Sequence, residues 1–388
     1  MRIFLRFIIL LGISAFTYES SSRSDFDRDY TYQLSADAQE QTPFVGADLS
    51  MSVLEGYRYL DDRFSPEPDE LWKNLAMMIP RLMVSTYVST FQHEVFGHGT
   101  SVRQIGQGWS VRSYSFNLDG SGSTSILANR ASPPQYLIAV DIAGMQATEV
   151  LSDSIKDRFL EKESINPTYA AAYLVSSTDQ INYVFSDYQE GKGHDVQNYI
   201  TGMNTIYGSG YLSKSKLRSR TCLNLLDPFL YYSLYSLGTG KDFEYPMIPI
   251  GDWKYLPGFR AVFTPYGLEN KLINHFRTPT TPMQINFSQG TNKRGTSWSA
   301  EAIVDKVWSD DKFDLGFNVA TWNQPKLFVS NVLQAPNKQG GSAEAIIRFN
   351  MTRSGSIYTS TGYKTAGFRL GYPLRSSVLF RAGLSYVF

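Results

Sequence analysis

Gln92-His-Glu-Val-Phe-Gly-His-Gly99 places two histidines around a glutamate. A hydrolytic zinc site needs three protein ligands and an open position for water, and the neutral imidazole suits zinc well. A glutamate beside such a pair stands where it can take the proton of that water. The chain has only four histidines, and two of them are here. In the common H-E-x-x-H arrangement the histidines are four apart, one helical turn. His93 and His98 are five apart, about 140° round a regular helix. The helix must therefore absorb one extra residue in a widened turn, where Gly97 is well placed to help.

The third ligand has to come from elsewhere. In Ala147-Thr-Glu-Val-Leu-Ser-Asp153, Glu149 lies 51 positions after His98 and Asp153 lies four further on; on a helix the two carboxylates share one face. The H-E-x-x-G-H form followed at this distance by E-x-x-x-D resembles the zinc motifs of the dipeptidyl-peptidase III family of gluzincins. That resemblance implies His93, His98 and Glu149 as zinc ligands and Glu94 as the base that activates the zinc-bound water. It also implies Asp153 as the carboxylate that holds a ligand histidine by its distal N–H. The match is confined to these two motifs, and where the family has a further glutamate before the ligand this chain has Thr148. What it implies is a gluzincin-like site for peptide-bond hydrolysis on a peptide or protein substrate, not membership of the family or its exopeptidase action.

Two other residues compete for a role. Leu223-Asn-Leu-Leu-Asp-Pro228 resembles the leucine-aspartate element that completes the zinc site of site-2 membrane proteases, which would make Asp227 an alternative metal ligand. Those enzymes use the four-residue histidine spacing and lie in the inner membrane, so Asp227-Pro228 reads better as a helix start. His194 follows a glycine loop, Gly191-Lys-Gly-His-Asp, at the beginning of a helical segment. It is a candidate catalytic donor to the oxyanion of a tetrahedral intermediate, with helix capping as the competing reading. His275 has no partner visible in the sequence. Phosphate-loop and Ser or Cys nucleophile patterns are absent, and lone Cys222 excludes an internal disulfide or a Cys-rich zinc module.

The elements that must position these groups divide the chain. Residues 66–250 read as a mainly helical, zincin-like domain: Pro66 opens a helical segment, Leu75 to Phe91 is apolar but carries Pro80 and Arg81, and Pro133-Pro134 start a second helix, Gln135 to about Glu161. Ala143, Gly144 and Ala147 on that helix permit close packing. Further helical pieces are Pro167 to Phe185, His194 to Ile206 and Leu223 to Leu237. Gly106 to Ala128 alternates around the turn Asn117-Leu-Asp-Gly-Ser-Gly, the pattern of a hairpin. Lying between the two zinc helices, its edge could receive an extended peptide as an added strand.

Residues 251–388 change texture. Met283–Phe287, Trp298–Val304, Phe313–Val319 and Ala345–Met351 place apolar residues at every second position, with turn clusters between them. In the last segment Val378, Phe380, Ala382, Leu384, Tyr386 and Phe388 share one face, with Arg381 and Ser385 on the other. An aromatic terminus of this kind resembles the final strand of Gram-negative outer-membrane β-barrels, which implies an outer-membrane location and engagement by the barrel-assembly machinery. The expected fold is thus α+β: a helical domain with a hairpin, then an antiparallel outer-membrane-type barrel. The barrel would be the spanning element and no helix would cross.

Residues 1–17 read as a signal peptide, Arg2 and Arg6 preceding a short apolar run, and 18–65 as a flexible leader and entry segment. Thirty-six basic against 36 acidic residues give no electrostatic footprint for nucleic acid. The 25 Tyr, 24 Phe and 6 Trp suit strands that meet lipid headgroups, with the helical domain on the periplasmic side. The alternatives are a non-enzymatic outer-membrane barrel in transport or assembly, whose His/Glu cluster is structural, and a soluble secreted enzyme.

Overall fold

The computed structural model describes residues 30–64, 71–106, 108–128, 134–186, 194–293, 295–325, 327–329, 332–334 and 339–387. The chain is α+β. Strand β1 (Thr31–Asp37) leads into helix α1 (Pro43–Phe64) and helix α2 (Leu71–Phe91). A π-helix, Gln92–His98, continues α2 without a break into α3 (Gly99–Ile105). The hairpin β2 (Ser110–Phe116) and β3 (Gly122–Leu127) follows, then α4 (Pro134–Lys162), β4 (Ser164–Ile165), α5 (Pro167–Ser177), α6 (Asp179–Phe185), α7 (Asp195–Tyr207), α8 (Lys214–Thr221), a 3₁₀ turn (Cys222–Leu226) and α9 (Pro228–Thr239). The remainder is strand: β5 (Phe243–Glu244), β6 (Ile248–Ile250), β7 (Trp253–Thr264), β8 (Gly267–Arg277), β9 (Pro282–Asn292), β10 (Gly295–Ser309), β11 (Phe313–Asn323), β12 (Leu327–Val329), β13 (Val332–Gln334), β14 (Gln339–Asn350), β15 (Gly355–Lys364) and β16 (Ser377–Val387).

Helix α4 is the axis of the helical part and is covered on several sides. Its first half packs Ile138 and Ile142 against Tyr199 and Met203 of α7. Its second half packs Leu151, Ile155 and Phe159 against Tyr173 of α5 and Phe229 of α9. This wrapping explains why α4 has no single apolar stripe.

Ten strands form one antiparallel sheet in the order β1-β16-β15-β14-β11-β10-β9-β8-β7-β6. Among the described residues the sheet does not close on itself, and β1 and β6 are its edges. The N-terminal strand sits beside the last one, with Tyr32 opposite Tyr386 and Leu34 opposite Leu384. On three of the middle strands the buried side is polar and the exposed side apolar. On β9, β11 and β14 the buried face carries Gln284, Asn286, Asp314, Asn318, Ser342 and Glu344, while Phe287, Leu315, Val319, Ile347 and Phe349 are exposed. The inward side chains bond among themselves: Arg369 donates to Glu301 at 2.6 Å, Asn286 to Glu301 at 3.0 Å and Tyr372 to Glu344 at 2.7 Å. Between this polar face and α1 and α4 lies a cavity of about 490 Å³ lined by charged groups of both signs.

Several expectations need revision. Residues 31–64, taken as part of a flexible leader, form β1 and α1. The strand is stabilised by its pairing with β16, more than 340 residues away in sequence, which no local pattern could reveal. The segment 167–185 is two helices, interrupted at Thr178, and 223–237 starts with a 3₁₀ turn before α9. The hairpin, α4 and the period-two strands are found where expected. On β16, Val378, Phe380, Leu384 and Tyr386 are exposed and Ser385 is buried. The signal peptide and Phe388 lie outside the described residues.

Candidate metal centre

The widened turn is the π-helix Gln92–His98. It brings the two imidazoles to ring centroids 5.0 Å apart with Nε2 atoms converging. Gly97 and Gly144 allow the π-helix and α4 to touch: a Cβ on Gly97 would lie 2.5 Å from the Cα of Gly144, and a Cβ on Gly144 would lie 2.1 Å from His93 Nε2. Glycine at 144 therefore makes the space that the His93 ring fills. Tyr183 of α6 stacks on that ring at 4.9 Å and 9°, fixing its plane.

The third group of the cluster is Asp195, in the first turn of α7. Its Oδ2 lies 3.1 Å from His93 Nε2 and 3.1 Å from His98 Nε2. The distal nitrogens are both held. His93 Nδ1 donates to Asp179 Oδ2 at 2.9 Å, and His98 Nδ1 donates to the carbonyl of Val140 at 2.7 Å. Asp179 is itself supported by the Thr148 hydroxyl at 2.8 Å.

These contacts decide the hydrogen inventory. A carbonyl oxygen only accepts, so His98 carries its proton on Nδ1, and the Asp179 carboxylate draws the proton of His93 to Nδ1 as well. Each neutral imidazole then presents an Nε2 lone pair to a carboxylate oxygen. Three acceptors facing one another require a cation between them, either protons on both rings or a metal ion. Two ligands at about 2.0–2.1 Å from a tetrahedral zinc lie about 3.3 Å apart, close to the 3.1 Å found here. The residues thus fit a divalent metal held by His93, His98 and Asp195, with the distal N–H bonds that orient metal-ligating histidines.

His93 and His98 are buried and Asp195 is about 20% exposed, and their titration reflects their mutual charges. Burial opposes protonation of His93, but Asp179 and Asp195 outweigh it and hold its pKa well above the ordinary histidine value. His98 is raised in the same way by Asp195. Asp195, despite burial, is held well below the usual carboxylate range by His98 and His93. Asp141, on α4 beside Val140, is pushed up to about 8 by burial and by the charge of Asp195.

Glu94, adjacent to His93 on the π-helix, is buried and accepts a hydrogen bond at Oε2 from the Thr124 hydroxyl of β3 at 2.6 Å. His194, half-buried at the start of α7, bonds Ser186 at 3.1 Å and does not cap the helix through its side chain. Its ring centroid lies 5.4 Å from Tyr183, at the edge of the site, and burial lowers its pKa.

The structure does not bring Glu149, Asp153 or Asp227 to the histidines. Val140, Gly144 and Thr148, one turn apart along α4, face the site. Position 149 is rotated about 100° from Thr148, toward the sheet. There Glu149 Oε1 meets Arg260 of β7 at 2.9 Å, and Asp153 Oδ1 meets the same guanidinium at 3.0 Å. Asp227 caps α9 through the backbone N–H of Phe229 at 3.1 Å, pairs with Lys156 at 2.7 Å and accepts from Tyr173 at 2.7 Å. The shared helix face of Glu149 and Asp153 is real, but it serves Arg260. The groups that sequence reasoning missed are Asp179 and Asp195, each the first residue of a helix. The one available signal was the Gly-His-Asp run at 193–195, read there for its histidine.

No family model, curated protein or solved structure matches this chain.

Proposed function

We propose that the protein is a zinc-dependent hydrolase of peptide bonds, held in the outer membrane of a Gram-negative bacterium by its C-terminal strands. The observation that carries the catalytic part is the convergence of two Nε2 lone pairs and the Asp195 carboxylate on one point, with both distal nitrogens engaged. A metal bound there would polarise the substrate carbonyl and lower the pKa of a coordinated water. Glu94 would take the proton of the attacking water as its oxygen bonds to the carbonyl carbon, and pass it to the leaving amine nitrogen as the C–N bond breaks. Thr124 fixes the Glu94 carboxylate at the hairpin, along whose edge a substrate strand would lie. His194 and Tyr183 border the site and would serve as oxyanion donors. Asp195 replaces Glu149 as the third ligand in this reading.

The membrane part is supported by the polarity of the sheet's middle strands. Strands β7 to β11 and β14 to β16 have 10 to 15 residues, enough for tilted spans of about 9–11 residues. Of their exposed aromatics, Trp253 on β7, Trp308 on β10, Phe313 on β11 and Tyr386 on β16 lie near strand ends, while Phe259 on β7 and Phe287 on β9 lie mid-strand among aliphatic side chains. The strand-end residues have the placement of interfacial girdles on lipid-facing strands.

The test is hydrolysis of a mixed peptide substrate by zinc-loaded wild type beside Glu94→Gln. The substitution is expected to lower kcat about 10²–10⁴-fold while leaving bound zinc stoichiometric. Full activity in the variant would remove Glu94 as base, and no activity in either protein would favour the alternative of a non-enzymatic membrane protein.

A further inference from the structure

Helix α2 turns apolar side chains outward as the middle strands do. Among its described side chains every exposed one is apolar: Trp72, Leu75, Ala76, Ile79 and Met83, with Trp72 at 69% and Ile79 at 60% exposure. Its inner face is mixed: Asn74, Arg81, Ser85 and Ser89 are buried beside Val88, and Met78, Leu82 and Val84 pack partly buried against the core. Trp72, Leu75, Ile79 and Met83 recur at three- and four-residue steps and so form one stripe. A helix covered by water would show the opposite arrangement. Each inward polar group whose bond is seen has a protein partner. Arg81 is paired with Asp61 of α1 at 2.7 and 3.1 Å, Ser85 donates to the Arg81 carbonyl at 2.7 Å, and Asn74 donates to Thr239 at the end of α9 at 3.2 Å. An ionised side chain at bilayer depth survives only when it faces inward and is paired in this way.

The position of α2 says what covers its outer face. Starting at edge strand β1, Gln33 N donates to Ser52 Oγ of α1 at 2.7 Å; α1 is tied to α2 through Asp61 and Arg81; α2 is tied to α9 through Asn74; and Tyr232 of α9 donates to the carbonyl of Pro246, two residues before edge strand β6, at 3.3 Å. A continuous path of bonded elements therefore joins the two edges that the sheet leaves open. Exposed apolar side chains continue along that path, from Leu34 on β1 through Leu60 on α1 and the α2 stripe to Tyr231 on α9 and Ile248 on β6. The exposed stripe from Trp72 to Met83 extends about 16 Å at 1.5 Å per residue, about half the thickness of a bilayer hydrocarbon core, about 30 Å. No described helix is long and apolar enough in mean hydropathy to cross a membrane. For α2 the inward Asn, Arg and Ser lower that average while contributing nothing to the outer face.

We infer that the outer face of α2 contacts lipid acyl chains, so that the membrane-facing wall is part sheet and part helix, with α1, α2 and α9 filling the arc between β1 and β6. This rests on the membrane reading above and replaces the expectation that strands alone meet lipid. It also deepens the functional proposal. Because α2 runs directly into the π-helix that carries His93, the metal centre stands at one end of a lipid-facing helix. The substrates such a placement fits are polypeptides anchored in or emerging from the bilayer.

Single cysteines at Ile79 and Met83, in a Cys222→Ser background, would be spin-labelled in the full-length protein and reconstituted in phosphatidylcholine vesicles. Labels at Val319 and Ile347 report the sheet exterior, and one at Lys216 of α8 reports water. The collision rates with oxygen, which partitions into lipid, and with a neutral nickel chelate, which stays in water, are then compared by saturation EPR. Ile79 and Met83 are expected to match Val319 and Ile347, with oxygen favoured several-fold over nickel. Nickel access at Ile79 and Met83 while the sheet labels remain in lipid would overturn the helical wall and leave the membrane reading standing. Shielding of Ile79 and Met83 from both reagents would overturn it in favour of a second copy or another protein on that face. Nickel access at all four positions would overturn the membrane reading itself.

Discussion

Helix α4 carries two buried charge clusters on adjacent faces, and they differ in one respect. On the sheet side, Glu149, Asp153 and Asp227 are answered by Arg260 and Lys156. On the other side, Asp195 and Asp179 are answered only by imidazoles, which are neutral unless protonated. The cations of the first cluster are fixed charges; those of the second are protons on His93 and His98, whose pKa values Asp179 and Asp195 raise. Buried charge without compensation is strongly unfavourable, so fixed cations tie the first cluster to structure, whereas protons on metal-ligating nitrogens can be exchanged for a metal ion. Residue type alone does not separate these roles, since Glu149 is as good a zinc ligand as Asp195.

The comparison breaks most sharply on metal content. His98→Ala and Asp195→Ala are each expected to reduce bound zinc from near one per chain to a small fraction of that after dialysis against trace metal. Stoichiometric zinc in both would move the ion away from this cluster. The reciprocal change, Glu149→Ala, should leave zinc in place and instead destabilise the fold, by about 3–5 kcal/mol, because it strands part of the Arg260 charge in the interior. Chemical denaturation of the zinc-loaded proteins measures it. Zinc loss with unchanged stability would restore Glu149 as the ligand. A smaller effect is expected at the supporting carboxylate: Asp179→Asn should weaken zinc binding about 10–100-fold, read by competition with a chelating dye. An unaltered affinity would mean that the hydrogen bond to His93 does not orient the ligand.

How much of this was legible in the chain follows from the range over which each pattern acts. The histidine spacing announced a widened turn because five residues cannot converge on a regular helix, and Gln92–His98 forms that turn. The hairpin, the long α4 and the alternating strands were legible because their periods are local. Glu149 was misassigned because a helical period tells which residues share a face and not what that face meets. The partner, Arg260, is 111 residues further along. Asp179 and Asp195 were unreadable for the same reason: an aspartate opening a helix is favourable to the helix dipole wherever it occurs, so its type and place carry no sign of a second task. The strand at 31–37 was lost because its pairing partner is the last strand of the chain. That Arg81 points inward to Asp61 is likewise set by a partner 20 residues away.

The difference between the two clusters also has a pH signature, and its sign can be worked out. In the metal-free protein His93 and His98 have pKa values above the unfolded value, despite their burial, because of Asp179 and Asp195. Their protons therefore contribute stability that is fully present below about pH 6.5, the unfolded value, and is lost as pH rises through the higher folded values. Metal occupies the same two nitrogens and needs them unprotonated, so its contribution runs the other way. The gap in Tm between zinc-loaded and chelated protein should accordingly widen from pH 6 to pH 8.5, the chelated form falling while the loaded form holds. In Asp195→Asn the carboxylate that raises both histidines is removed, and the dependence should flatten. The Arg260 cluster offers no such exchange, since Arg260 stays charged throughout this range. A constant gap across that pH span in the wild type would mean that protons and metal do not compete for the Nε2 atoms, and the reading of the site as a metal centre would fail.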